Sequence, residues 1–161
     1  MTKREAYGWA AKRIRAQVFR NTDIIAILAN TSAILKEYSP HFFWVGFYFK
    51  KQDHLLLGPF QGPPACVRLA LDKGVCAACA RDGKSIIVPD VHQFPGHVAC
   101  DERSKSEIVV PVFDTENRLQ AVLDVDSENL NDFDEQDQKG LEKIAGLLKS
   151  IWTSSEPRSE L

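Results

Sequence analysis

Nothing in this sequence approaches the roughly 20 consecutive apolar residues that span a bilayer. The N-terminal stretch MTKREAYGWAAKRIRAQVF also lacks the uninterrupted apolar core of a signal peptide, so a cytoplasmic protein is expected. An excess of one charge is missing too: 20 Lys and Arg face 22 Asp and Glu, a net charge of −2. That excludes a basic field for nucleic acid and a polybasic membrane anchor. A small molecule or another protein is left as the partner. There is no internal repeat, low-complexity tract or linker. Cysteine is scarce, with four in the chain. In a reducing compartment these are not expected to form a permanent disulfide framework; burial, metal binding or transient redox chemistry is expected instead. What is present is the make-up of an ordinary soluble domain, 44% hydrophobic and 26% charged. One domain over residues 1–152 is expected, then a polar, disordered tail, TSSEPRSEL.

The patterning predicts an α+β domain. Lys3–Phe19 is rich in helix formers. A second helix is predicted over Asp23–Glu37, with Ile24, Ile27, Leu28, Ile34 and Leu35 on one face and Asn21 or Thr22 as its cap. Strand signals follow in FFWVGFYF (42–49) and HLLLGPF (54–60), joined as a hairpin through KKQD. ACVRLAL (65–71) is a further strand candidate, Gly74–Arg81 a short helix, and SIIVPD a strand. EIVVPVFD (107–114) and RLQAVLDVDS (118–127) form a predicted hairpin through Thr115, Glu116 and Asn117. Asp134–Trp152 reads as a closing amphipathic helix, with Leu141, Ile144, Ala145, Leu148, Ile151 and Trp152 on one face. Adjacent hairpins imply a mainly antiparallel sheet with helices packed on it.

The stretch PDVHQFPGHVACDERSKSE (89–107) carries the most chemistry. It sets Cys100 in a polar loop near His92, His97, Asp101, Arg103 and Lys105, surroundings that favour the reactive thiolate. From the residues alone Cys100 is a nucleophile, a metal ligand or a bystander. Strand alternation adds two faces. In 119–126, Gln120, Val122, Asp124 and Asp126 share one face, with the two acids about 7 Å apart. Held that close they repel, and one should titrate high; alternatively the face is simply wet. In 43–49, Phe43, Val45, Phe47 and Phe49 share one face, and Trp44, Gly46 and Tyr48 the other. The latter reads as an aromatic-walled gap or as an apolar layer under a helix. Glu107 opens its strand after the loop, as a surface charge or as part of the same cleft.

Among the other cysteines, Cys66 follows a turn-prone GPP. Cys76 sits at the start of the short helix, where the dipole lowers a thiol pKa. Cys79 completes a C-x-x-C and is expected to be buried among alanines. A zinc site from Cys66, Cys76, Cys79 and Cys100, with or without His92 or His97, is conceivable, but the spacing matches no common zinc module.

Together GPFQGPPACVR, KGVC, PDVHQFPGHVACD, SEIVVPV and VLDVDS resemble the free methionine-(R)-sulfoxide reductases, enzymes built on the GAF fold. The likeness runs from about Asp23 to Trp152. It implies a GAF-like α+β fold, a central mainly antiparallel sheet flanked by N- and C-terminal helices. It also implies reduction of free L-methionine-(R)-sulfoxide to L-methionine through a cysteine sulfenic acid and an intramolecular disulfide. By this resemblance Cys100 is the nucleophile, Cys66 its resolving partner and Cys76 an aid to recycling. Trp44, Tyr48, Glu107, Asp124 and Asp126 would form the substrate pocket, the three acids also handling protons. Thioredoxin is the implied reductant and a homodimer a further expectation; no cofactor or metal is required. Two positions depart from the family pattern: Cys79 is an extra cysteine, and Ala121 replaces an expected glycine. The competing readings are a non-catalytic GAF sensor of small molecules or redox state, and a structural zinc domain.

Overall fold

Why the chain forms a two-sided sheet follows from strand alternation. The computed structural model describes residues 1–152. The expected tail from Thr153 lies outside the described residues. Six strands pair in the order β3-β2-β1-β6-β5-β4, and every pairing is antiparallel. They are β1 Trp44–Lys50, β2 His54–Gln61, β3 Arg68–Ala70, β4 Ile86–Val88, β5 Ser106–Phe113 and β6 Leu119–Ser127. The helices are α1 Lys3–Arg20, α2 Ile24–Tyr38, α3 Val75–Asp82 and α4 Glu135–Leu147.

One sheet face carries Val45, Phe47, Ile108, Val110, Val112, Ala121, Leu123 and Val125, packed against α1, α2 and α4. The opposite face carries Trp44, Tyr48, Val109 and Val122, covered by Val75, Cys76 and Cys79 of α3. The sheet is therefore buried on both sides, and β1 and β6 sit at its centre. Ala121 is fully buried on the first face. Asp137, buried in α4, ties α1 down: it accepts from Tyr7 Oη at 2.9 Å and pairs with Lys3.

Several boundaries differ from the sequence reading. Asp23 caps α2, accepting from the Ala26 amide, rather than Asn21 or Thr22. The closing helix is interrupted: α4 stops at Leu147, and Lys149–Trp152 is a short 3-10 turn. The predicted strand over 65–71 shrinks to Arg68–Ala70, because the backbone before it is drawn toward β1. Phe43 precedes β1 and packs with the α3 face, not with Val45 and Phe47.

Candidate active site

Cross-strand register builds the floor of a pocket. Trp44 of β1 lies opposite Asp126 of β6, which lies opposite Glu107 of β5. One step along, Gly46 faces Asp124. Three carboxyls and an indole from three adjacent strands thus share the α3 side of the sheet. Gly46 is required there: a Cβ would stand 2.3 Å from Phe60 Cβ and 2.8 Å from the Trp44 ring. The gap expected beside Gly46 is thus filled, and Trp44 stacks on Phe60 at 5.2 Å and on Tyr48 at 5.9 Å.

The same two aromatics pin the segment before β3. Trp44 Nε1 donates to the Pro63 carbonyl at 3.1 Å, and Tyr48 Oη donates to the Cys66 carbonyl at 2.8 Å. Cys66 is thereby held next to Pro64 and Ala65 of the pocket wall and is bonded to Cys100 as a disulfide, their Cα atoms 5.5 Å apart. Cys100 is exposed and Cys66 half-buried, so the bond faces the mouth. Opposite, α3 begins at Gly74, whose φ of 93° suits glycine and which offers no side-chain cap to the helix N-terminus. Val98 of the loop packs 3.3 Å from the Cβ position at Gly74, locking loop to helix. A cleft of about 650 Å³, counting its mouth, results. Its lining includes Trp44, Tyr48, Cys76, Cys100, Glu107, Asp124 and Asp126.

Burial dominates the electrostatics. Glu107 is 7% exposed and Asp124 6%, so the acid face is not wet. Burial pushes the Glu107 carboxyl well above the ordinary range, and Asp124 and Asp126 add to the rise. Asp126 is also well raised, by burial and then by Asp124, opposed by a hydrogen bond from Ser104. Asp124 is raised by burial, while hydrogen bonds with Glu107 and Cys76 oppose the shift. Burial and the neighbouring acids therefore favour the protonated form of Glu107.

The cysteine expectations need correction. The helix terminus does not depress the Cys76 thiol. Burial raises it, reinforced by Asp124, Glu107 and Asp126, and Cys76 Sγ lies 3.9 Å from Glu107 Oε1. The cations after Cys100 are partly spoken for. Arg103 binds Asp101 through two nitrogens, at 3.0 and 2.7 Å, holding Asp101 at about 2. His97 lines the pocket and is lowered by burial and by His92. Cys79 is fully buried in the α3 layer, away from the pocket lining. The four cysteines do not converge on one point: two are bonded and two are free thiols.

Residues 21–152 match the GAF domain family. The chain is 38% identical to the free methionine-R-sulfoxide reductase of Escherichia coli, over 97% of this chain and 94% of that one. The chain belongs to the free methionine-(R)-sulfoxide reductase family. It is also 47% identical to GAF domain-containing protein A of Dictyostelium discoideum, covering 91% of this chain and 92% of that one. A solved free methionine-R-sulfoxide reductase from Neisseria meningitidis, in complex with its substrate, superposes with a TM-score of 0.88 at 44% identity. That match covers 92% of this chain and 89% of the other.

Three parts of the pocket lie outside the sequence reading. Ser104 bonds Asp126 from within the loop. Phe43 stacks under the Arg103 guanidinium at 4.8 Å. Lys73 stands at the pocket edge before α3. Ser104 lies four positions past Cys100 in a run of charges, in a turn where its amide donates to the Asp101 carbonyl at 3.3 Å. The sequence marks Trp44 and Tyr48 as walls, but their hydrogen bonds to the Pro63 and Cys66 carbonyls depend on a loop's path and have no local signal.

Proposed function

We propose that this chain reduces free L-methionine-(R)-sulfoxide to L-methionine by a thiol mechanism. The observation carrying the proposal is a cluster of carboxyls with raised pKa that shares one pocket with Cys100 of a bonded cysteine pair. A sulfoxide sulfur is a poor electrophile until its oxygen is protonated. Cys100 attacks that sulfur as the thiolate while a carboxylic acid gives its proton to the oxygen. Oxygen passes to Cys100, the sulfoxide S–O bond breaks, methionine leaves, and Cys100 becomes a sulfenic acid. The Cys66 thiolate then attacks the Cys100 sulfur, water leaves, and the disulfide forms. An external dithiol, proposed to be thioredoxin, restores both thiols by exchange. Exposure of Cys100 supports this last step. Cys76 sits below the pair as a second thiol for recycling.

Glu107 is the favoured acid, since burial and both aspartates keep it protonated. The pocket's polarity suits a zwitterion. Acids on the sheet hold the ammonium, while the uncapped N–H groups of α3 and Lys73 take the carboxylate. Trp44 lies over the S-methyl end. No organic cofactor or metal enters these steps. A cytoplasmic site of action accords with the thiol chemistry, and no described helix is long and apolar enough to cross a membrane. One domain over residues 1–152, able to pair as a homodimer, completes the proposal.

With dithiothreitol, the purified protein should reduce free L-methionine-(R)-sulfoxide and leave the N-acetyl derivative untouched, because acetylation removes the ammonium. Equal turnover of both substrates would sink the zwitterion assignment. With thioredoxin as sole reductant, Cys66→Ser should stall after one turnover; continued turnover removes Cys66 as resolver.

A further inference from the structure

Cys76, Glu107 and Asp124 bring one thiol sulfur and two carboxylate oxygens within 4.8 Å of one another, all three side chains buried. Each comes from a different element, α3, β5 and β6. Asp124 also carries an open acceptor: its Oδ1 is buried without a hydrogen-bond partner. Among the described residues, no Lys, Arg or His forms an ion pair with Glu107, Asp124 or Asp126. The cluster thus holds latent negative charge with no counter-ion, around an acceptor that nothing fills.

The donor set is selective. A thiolate is a poor ligand for Mg²⁺ and Ca²⁺, which take oxygen. One sulfur and two carboxylate oxygens suit Zn²⁺, which accepts three protein ligands and a water. Bond lengths of about 2.3 Å to sulfur and about 2.1 Å to oxygen put tetrahedral ligands roughly 3.5 Å apart. Closing from 4.8 Å therefore takes about 1 Å of side-chain rotation.

We propose that this cluster is a Zn²⁺ site, with Cys76 Sγ, Glu107 and Asp124 as ligands and water in the fourth position. Binding changes no oxidation state. It expels the thiol proton and the carboxylic proton to solvent. Taken with the proposed reductase chemistry, an occupied site has lost its acid, so Zn²⁺ acts as an inhibitor competing with substrate and not as a cofactor.

The oxidised full-length chain isolates the site, because with the Cys66–Cys100 bond intact the remaining thiols are Cys76 and Cys79. Co²⁺ reports thiolate ligation through a near-ultraviolet charge-transfer band. Titration with Co²⁺ should raise that band to saturation at one equivalent, and one equivalent of Zn²⁺ should remove it. Cys76→Ser should lose the band and Cys79→Ser should keep it. Asp124→Asn retains the thiol and should weaken Co²⁺ binding at least tenfold. Absence of a band in the native chain, its survival in Cys76→Ser, or unchanged affinity in Asp124→Asn overturns the site.

Discussion

Glu107 shows how position decides what a side chain is. In sequence it is a strand-opening glutamate after a charged loop, a description that fits a surface residue. In the structure it lies across from Asp126, and burial plus two neighbouring acids raise its carboxyl well above the ordinary range. Glu107→Gln should lower kcat about 100-fold or more, the usual scale of general-acid catalysis. The pH dependence has a fixed sign: an acid that must be protonated works below its raised pKa. The wild-type rate should fall as pH climbs through that value, and the fall should vanish in Glu107→Gln. A pH–rate profile of both proteins checks this, and an identical alkaline limb in the variant would move the acid elsewhere. Tyr48→Phe probes a different effect. It keeps the wall but frees the Cys66 carbonyl, so thioredoxin-dependent recycling should slow more than the single-turnover reduction. Equal slowing would show that Tyr48 acts on substrate alone.

At the scale of elements, β1 and α3 carry the site. Placing a methyl group at Gly46 forces it against Phe60 and the Trp44 ring. Gly46→Ala should cost about 1–3 kcal/mol, as overpacking does, and should raise KM because Trp44 must shift. Thermal melts with steady-state kinetics separate the two effects. These elements also show how far the sequence could be read. Period-two alternation gave both faces of β6 and β1, since a strand's side chains need no tertiary information to divide. The hairpins were legible from their turns: Asp114 Oδ1, for example, accepts from the amides of Glu116 and Arg118. What stayed hidden depends on partners distant in sequence. The Asp23 cap is a local exception: it accepts from the Ala26 amide three residues on, and its extended backbone sets it ahead of Asn21 and Thr22. The expected drop in the Cys76 pKa failed because α3 sits on the acid face, where desolvation outweighs a helix dipole.

Across the whole molecule, a site of buried acids sets the pH dependence of stability. Glu107, Asp124 and Asp126 bind protons more tightly in the folded protein than in an unfolded chain. At these three groups the native state holds more protons, so their contribution to stability is fully present below the unfolded carboxyl pKa of about 4 and is lost as pH rises through the raised values. Asp101, lowered to about 2 beside Arg103, acts oppositely: its contribution is lost as pH drops below the ordinary carboxyl range. Melting temperatures across pH should therefore decline on the alkaline side in the wild type and decline less in Asp126→Asn. A steeper decline in the variant would contradict the buried-acid account. The central claim is that Cys100 takes oxygen from a free amino-acid sulfoxide and passes its oxidation to Cys66. The most direct measurement mixes fully reduced protein with excess L-methionine-(R)-sulfoxide, without any reductant, and counts both products. The account predicts one equivalent of methionine and a Cys66–Cys100 disulfide by peptide mass mapping, with neither formed by Cys100→Ser. Methionine produced at the wild-type rate by Cys100→Ser, or an oxidised protein lacking the Cys66–Cys100 bond, would contradict it.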